Sequence, residues 1–173
     1  MVGHMNVSFL RAIAYILERH EGGESNHAAD PGGRTRFGIA ERYFPDVWKM
    51  PGGPTLPAAL GIYWTSFWLP LKADEINHTA LRNKLFDMAI NFGQGRAVRF
   101  LQESINLLRR GDAPLTVDGR IGPVTIKAVN EYRHPRSLVF LLGALMMDHY
   151  RESPNASSFL AGWAWRSGWS GEP

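Results

Sequence analysis

The sequence contains no cysteine. That absence excludes disulfides, thiolate metal sites and cysteine nucleophiles together. A chain of 173 residues needs no covalent staple, because a domain of that size buries roughly two-thirds of the surface its unfolded form exposes. Long apolar runs are also missing. The longest, around Leu138 to Met147, is too short to span a bilayer and contains Gly143, so no membrane insertion is expected. No basic segment followed by an apolar one precedes the first amphipathic stretch, so no secretory signal is expected. Met1-Val2-Gly3-His4-Met5 reads as a cloning remnant (residues 1–5), with the native start at Met5.

Several chemistries are absent by motif. His20, His27, His78, His134 and His149 include no His-x3-His pair, and His20-Glu21 lacks the second histidine of a zincin helix. The sequence has no Gly-x-Ser-x-Gly elbow, Walker loop or Gly-x-Gly-x-x-Gly turn. The acidic residues of Asp112 to Gly122 do not fall at calcium-loop positions. Neither a metal nor an organic cofactor is expected. The net charge of +3 favours anionic partners such as nucleic acid, anionic lipid or wall polymer, or serves solubility alone. Arg96, Arg99, Arg109 and Arg110 hint at a basic face without clustering into one, so nucleic acid is not the expected partner.

What is present is mostly helical periodicity. Phe9, Ile13, Ile16 and Leu17 share one face of a helix predicted over Val7 to His20, with Ser8 or Asn6 as its cap and Gly22-Gly23 as its stop. Gly22 to Arg36, with Asp30-Pro31-Gly32-Gly33, reads as an ordered loop or short hairpin. Phe37 to Ala40 fits a strand or a helix entry, and Pro45 to Pro57 is irregular. Thr55 or Pro57 opens a helix bearing Leu60, Tyr63, Trp64, Phe67 and Trp68. Most of the tryptophans read as packing residues, since Trp64 and Trp68 stand four apart on one face. From Thr79 onward apolar stripes predict helices ended by Gly93 and Gly111, then helices opened by Pro123 and Pro135 and a last one over Ser157 to Trp165. The expected fold is mainly α, with a small irregular or β-hairpin lobe near the amino end.

The densest chemistry lies at Glu21, Asp30 and Thr35. Glycoside cleavage needs a proton donor for the leaving oxygen and a second polar group near the anomeric carbon. Here one carboxylate ends an apolar helix, and a second follows nine residues later on a loop stiffened by proline and glycine. Thr35 offers a hydroxyl that could hold a water. A helix C-terminus disfavours a carboxylate anion, and partial burial acts in the same direction, so Glu21 is placed where its pKa would rise. Spacing alone leaves a second reading open, with Glu21 a solvated helix end and Asp30 a turn former. Asp87 and Asn91, four apart on an inward helix face, either satisfy one another or line a cleft that receives a sugar acetamido group.

The run Ile16-Leu17-Glu18-Arg19-His20-Glu21-Gly22-Gly23, followed by Asp30-Pro31-Gly32-Gly33-Arg34-Thr35-Arg36-Phe37-Gly38-Ile39, resembles the start of glycoside hydrolase family 108, the N-acetylmuramidases of phage endolysins and secretion activators. The resemblance implies a lysozyme-like α fold and hydrolysis of the β-1,4 bond between N-acetylmuramic acid and N-acetylglucosamine. It also implies Glu21 as the catalytic acid, with Asp30 and Thr35 assisting and Phe37, Asp87 and Asn91 as substrate contacts. The Glu-x8-Asp interval is shared with phage-type lysozymes, where the water-positioning threonine falls one residue later, at Arg36 here. That likeness favours inversion at the anomeric carbon.

Phe86 to Gly93, Phe100-Leu101-Gln102, Asp118 to Thr125 and Phe159 to Trp163 are similar to the peptidoglycan-binding region that accompanies this catalytic part. Two regions are therefore expected, 6–92 catalytic and 93–173 wall-associated. Asp118-Gly119-Arg120-Ile121-Gly122-Pro123 is read as architecture, a glycine turn feeding a helix. The expected partner is the peptidoglycan glycan strand and the expected state a monomer. Synthesis in the cytoplasm is expected, with holin- or export-dependent release to the periplasmic wall. The competing expectation is a non-catalytic wall-binding or secretion-accessory protein on the same fold, which would have no need to keep Glu21.

Overall fold

A computed structural model describes residues 4–19, 23–25, 33–109, 113–153 and 156–172, with backbone alone at 25, 156–160 and 163. Its contacts group into two units, Met1–Ser66 and Phe67–Pro173.

The first unit opens with helix α1, Val7–Arg19, which buries Phe9, Ala12, Ile13 and Ile16. Their spacing of three and four residues sets one apolar stripe on one helix face. Of the two candidate caps, Asn6 is the one used. Its Oδ1 accepts from the Phe9 amide at 2.9 Å, while Ser8 already lies within the first helical turn. Strands β1 (Glu24–Ser25), β2 (Thr35–Arg36) and β3 (Ile39–Ala40) make an antiparallel sheet in that order. Phe37-Gly38 is therefore the turn of a hairpin, not a helix entry. The stretch after it contains one helical turn, α2 at Pro45–Trp48. Helix α3, Leu56–Tyr63, is capped by Thr55, whose hydroxyl accepts from the Ala58 amide at 3.3 Å. Phe9 and Trp64 meet edge to face at 5.0 Å, which fastens α1 to the end of α3. The chain then enters a π-helical turn, Trp64–Trp68.

The second unit holds α4 (Thr79–Phe92), α5 (Gln94–Leu108), α6 (Pro123–Glu131), α7 (Pro135–Arg151) and α8 (Ala156–Gly168). Proline occupies the first turn of α6 and of α7, where its missing N–H costs no intrahelical bond. Helix α4 is buried almost all round, from Ala80 to Ala89, and α5 and α7 pack against it. Trp68 is fully buried and meets Phe86 of α4 edge to face at 5.0 Å. Contacts group α4 with the helices after it, because a helix buried on almost every side needs neighbours on every side. The fold is mainly α with a small hairpin lobe near the amino end, as periodicity predicted.

One side chain organises the connection between α5 and α6. Gln102, 2% exposed, donates from Nε2 to Asp118 Oδ1 at 2.8 Å, with the Arg120 carbonyl and Thr125 hydroxyl also within reach. Its Oε1 accepts from the Gly119 amide at 2.9 Å. These bonds, with one from the Arg120 amide, hold the Asp118 carboxyl below its ordinary pKa. Gly119 has φ +75°, and a Cβ there would lie 2.7 Å from the Gly95 carbonyl oxygen, so the turn requires glycine. Gln102→Leu keeps the side-chain volume near constant but strands these partners. Loss of these bonds is expected to lower the midpoint of urea denaturation, with the slope unchanged.

Candidate active site

The hairpin lobe is pinned at several points. Glu24 pairs with Arg36 and Ser25 with Thr35, and Thr35 pairs in turn with Ala40. The Phe37 amide extends the first ladder, donating to the Gly23 carbonyl at 3.1 Å. Phe37 and Gly38 both have positive φ, +51° and +71°, the two-residue turn whose twist suits a hairpin. A phenylalanine there stores about 1–2 kcal/mol of backbone strain. Its carbonyl accepts from the Tyr63 hydroxyl at 3.0 Å, and Trp48 Nε1 holds the Ile39 carbonyl at 3.0 Å. Arg34 lies 4.2 Å from the centre of the Trp48 ring and forms a two-pronged ion pair with Glu41, both contacts at 3.2 Å. Arg36 donates to the Gly52 carbonyl at 2.8 Å and stands over the Phe37 ring.

Glu21 and Asp30 lie outside the described residues. Arg19 and Gly23 bracket the first, Ser25 and Gly33 the second. Thr35 is half-buried in β2, and its hydroxyl donates to the Gly33 carbonyl at 3.3 Å. Phe37, also half-buried, occupies the turn next to it. The structure thus joins Thr35 and Phe37 in one hairpin, tied through Gly23 to the chain that follows Glu21.

Asp87 and Asn91 belong to the second unit, and for Asp87 the expectation of a cleft contact is corrected. Its side chain has 0% exposure, and its Oδ1 accepts from Arg166 Nε at 2.9 Å and lies 2.8 Å from Nη2 of the same guanidinium. A carboxylate with no surface cannot touch a glycan; it neutralises a buried guanidinium instead. Lys84, also at 0% exposure, donates to the carbonyls of Arg166 and Ser167 at 3.0 and 2.8 Å. There it meets the negative end of α8. Burial pushes the Lys84 ammonium down to about 8, with Asp87 opposing the shift and Arg166 adding to it. Asn91 is half-buried, and its amide donates to the Asp87 carbonyl at 3.0 Å. A cavity of about 570 Å³ between α7, α8 and the residues after α8, lined by Val139, Phe140, Met147 and Trp169, contains none of the candidate residues.

Sequence reasoning passed over Tyr63, Trp48 and the Lys84–Asp87–Arg166 cluster. Arg166 is 79 positions from Asp87, so no local spacing could announce the pair. Lys84 and Asp87 did carry a signal, since charged residues on the inward, apolar-flanked part of a helix must find partners inside.

The described residues form a mainly α fold with a small pinned hairpin lobe. The solved structure of Brucella abortus SagA is similar, with 25% identity and a TM-score of 0.77, over 92% of this chain and 89% of that one. Residues 13–93 match the model of the family described as Glycosyl hydrolase 108. That match supports a glycoside hydrolase. No curated protein matches the sequence.

Proposed function

We propose that the chain is a peptidoglycan hydrolase of the lysozyme type, an N-acetylmuramidase. Glu21 donates a proton to the glycosidic oxygen as the bond to the anomeric carbon of N-acetylmuramic acid breaks. Water supplies the new hydroxyl at that carbon. Asp30 orients this water or stabilises the oxocarbenium-like transition state, and Thr35 assists. Phe37 and Asn91 contact the glycan. The observation that carries this reading is the family match, since residues 13–93 include Glu21, Asp30, Thr35, Phe37 and Asn91. The carboxyl-terminal helices act in wall attachment, and the enzyme works as a monomer on periplasmic peptidoglycan after release by a holin or an export route.

Product analysis tests the bond assignment. Purified peptidoglycan digested with the protein is expected to yield fragments with reducing-end N-acetylmuramic acid by mass spectrometry. Reducing-end N-acetylglucosamine would move the cut to the other bond, and 1,6-anhydro ends would replace hydrolysis by intramolecular attack. Bound but uncut glycan would identify a wall-binding protein without turnover.

A further inference from the structure

The cavity of about 570 Å³ beside α7 and α8 holds none of the residues assigned to catalysis, yet its volume is that of a site for a small molecule or short peptide. One wall is a single face of α7. Arg136, Phe140, Ala144 and Met147 stand four, four and three residues apart, with Val139 and Gly143 beside them. At helical rise this stripe is about 16 Å long, the span of about five extended residues. The other wall is the end of α8 and the residues beyond it, Ala164 to Glu172.

Two features of the lining bear on what fits. Little hydrogen-bonding capacity is left over, since the Trp169 indole N–H already donates to the Glu172 carbonyl at 2.8 Å and the Ser167 hydroxyl to the Ala164 carbonyl at 2.9 Å. A sugar ring, with hydroxyls around it, would find few partners here. The lining also carries two charges of opposite sign, Arg136 and Glu172, and neither side chain has an ion-pair partner among the described residues. An acyl chain with one anionic head would satisfy Arg136 but meet Glu172 as a like charge.

The backbone that carries Glu172 is fixed. The Gly171 carbonyl accepts from Asn83 Nδ2 at 2.9 Å, and Gly171, at φ +81°, lies so close to α4 that a Cβ there would collide with the Ala80 carbonyl. Small residues, among them Gly143, Ala144, Ala164 and Gly168, make up much of the lining and leave room for a peptide backbone and methyl groups.

We propose that this cavity binds the peptide arm of the wall polymer, with the peptide's terminal carboxylate on Arg136, an amino group on Glu172 and methyl side chains against the small residues of α7 and α8. Wall peptides are short and rich in alanine, and uncross-linked ones carry both a free carboxylate and a free amino group. The proposal rests on the reading of peptidoglycan as substrate, and it makes peptide, not glycan, the ligand of the carboxyl-terminal helices.

The probe is the sugar-free tetrapeptide L-Ala-γ-D-Glu-meso-diaminopimelate-D-Ala, titrated calorimetrically into the whole chain. Saturable binding is expected, weakened roughly three- to tenfold by Arg136→Gln and by Glu172→Gln, each removing one charge-assisted contact. Amidation of the terminal carboxylate is expected to weaken binding to the wild type by a similar factor, with no further loss in Arg136→Gln. An equal loss from Arg136→Gln on both peptides overturns the proposal. Ala144→Phe, at an exposed position of the lining, fills the cavity and is expected to abolish binding, so tetrapeptide binding that survives it also overturns the proposal. Peptide-free glycan strands or dodecanoate, bound more tightly than the tetrapeptide and lost in Ala144→Phe, would give the cavity to a sugar or an acyl chain instead. Purified wall is tested on the same preparation. Cleavage of wall without tetrapeptide binding strikes the cavity proposal alone, whereas a folded chain that neither cleaves nor binds wall strikes the reading of peptidoglycan as substrate.

Discussion

Glu21→Gln is expected to lower peptidoglycan cleavage by roughly 10² to 10⁴-fold, the range a positioned general acid contributes. Glutamine preserves the size and polarity of the side chain, so folding and glycan binding should survive. What it cannot do is donate a proton to the leaving oxygen as the bond breaks, and the departing sugar would then leave as an alkoxide. The measurement is clearing of outer-membrane-permeabilised Gram-negative cells, with far-ultraviolet circular dichroism to establish that the variant is folded. Equal clearing by both proteins would remove Glu21 from the mechanism. Binding of purified wall by the folded, inactive variant would show that attachment and cleavage are separable.

The second large effect falls on stability, in the buried Lys84–Asp87–Arg166 cluster. Asp87→Asn leaves the Arg166 guanidinium, 10% exposed at the side chain, without its carboxylate. Removing one member of a buried ion pair typically costs about 3–5 kcal/mol, and a loss of that order is expected in urea denaturation at pH 7. Burial is the main reason Lys84 gives up its proton early; Asp87 opposes the shift and Arg166 adds to it. Its pKa is lowered from 10.5 to about 8 in the folded chain. Below about pH 8 the ammonium is charged in both states. Between about pH 8 and 10.5 it is charged only in the unfolded chain, which then holds more protons, so stability rises with pH across that window. At about 1.4 kcal/mol per unit, the displacement from 10.5 to about 8 amounts to about 3 kcal/mol. Lys84→Met removes this term, and its profile should flatten relative to wild type between pH 8 and 10. Parallel profiles would assign the rise to other groups.

Periodicity located α1 to within a residue and placed the proline-led starts of α6 and α7 correctly, because those signals are local. Helix stripes repeat every three or four residues, and a proline at a first turn acts on its own backbone. The choice between Asn6 and Ser8 as the α1 cap was not legible, since both side chains can accept the same bond. Packing decided it, by burying Phe9 and so fixing where the helix begins. Asp87 shows the same limit more sharply. Its inward direction could be read from helix phase, but whether it met a sugar or an arginine depended on a residue 79 positions away.

Composition and motif alone determined that this chain is built without disulfides and is mainly helical, and that Asp30 follows Glu21 by nine positions in a run rich in glycine and proline. Tertiary structure alone decided that Phe37 is clamped between Gly23 and Tyr63, and that Asp87 is withdrawn into an ion pair. The reason is one of range. Backbone preferences and side-chain periodicity act over a few residues, whereas the partner of a buried polar group is chosen by whichever distant segment the packed core brings against it.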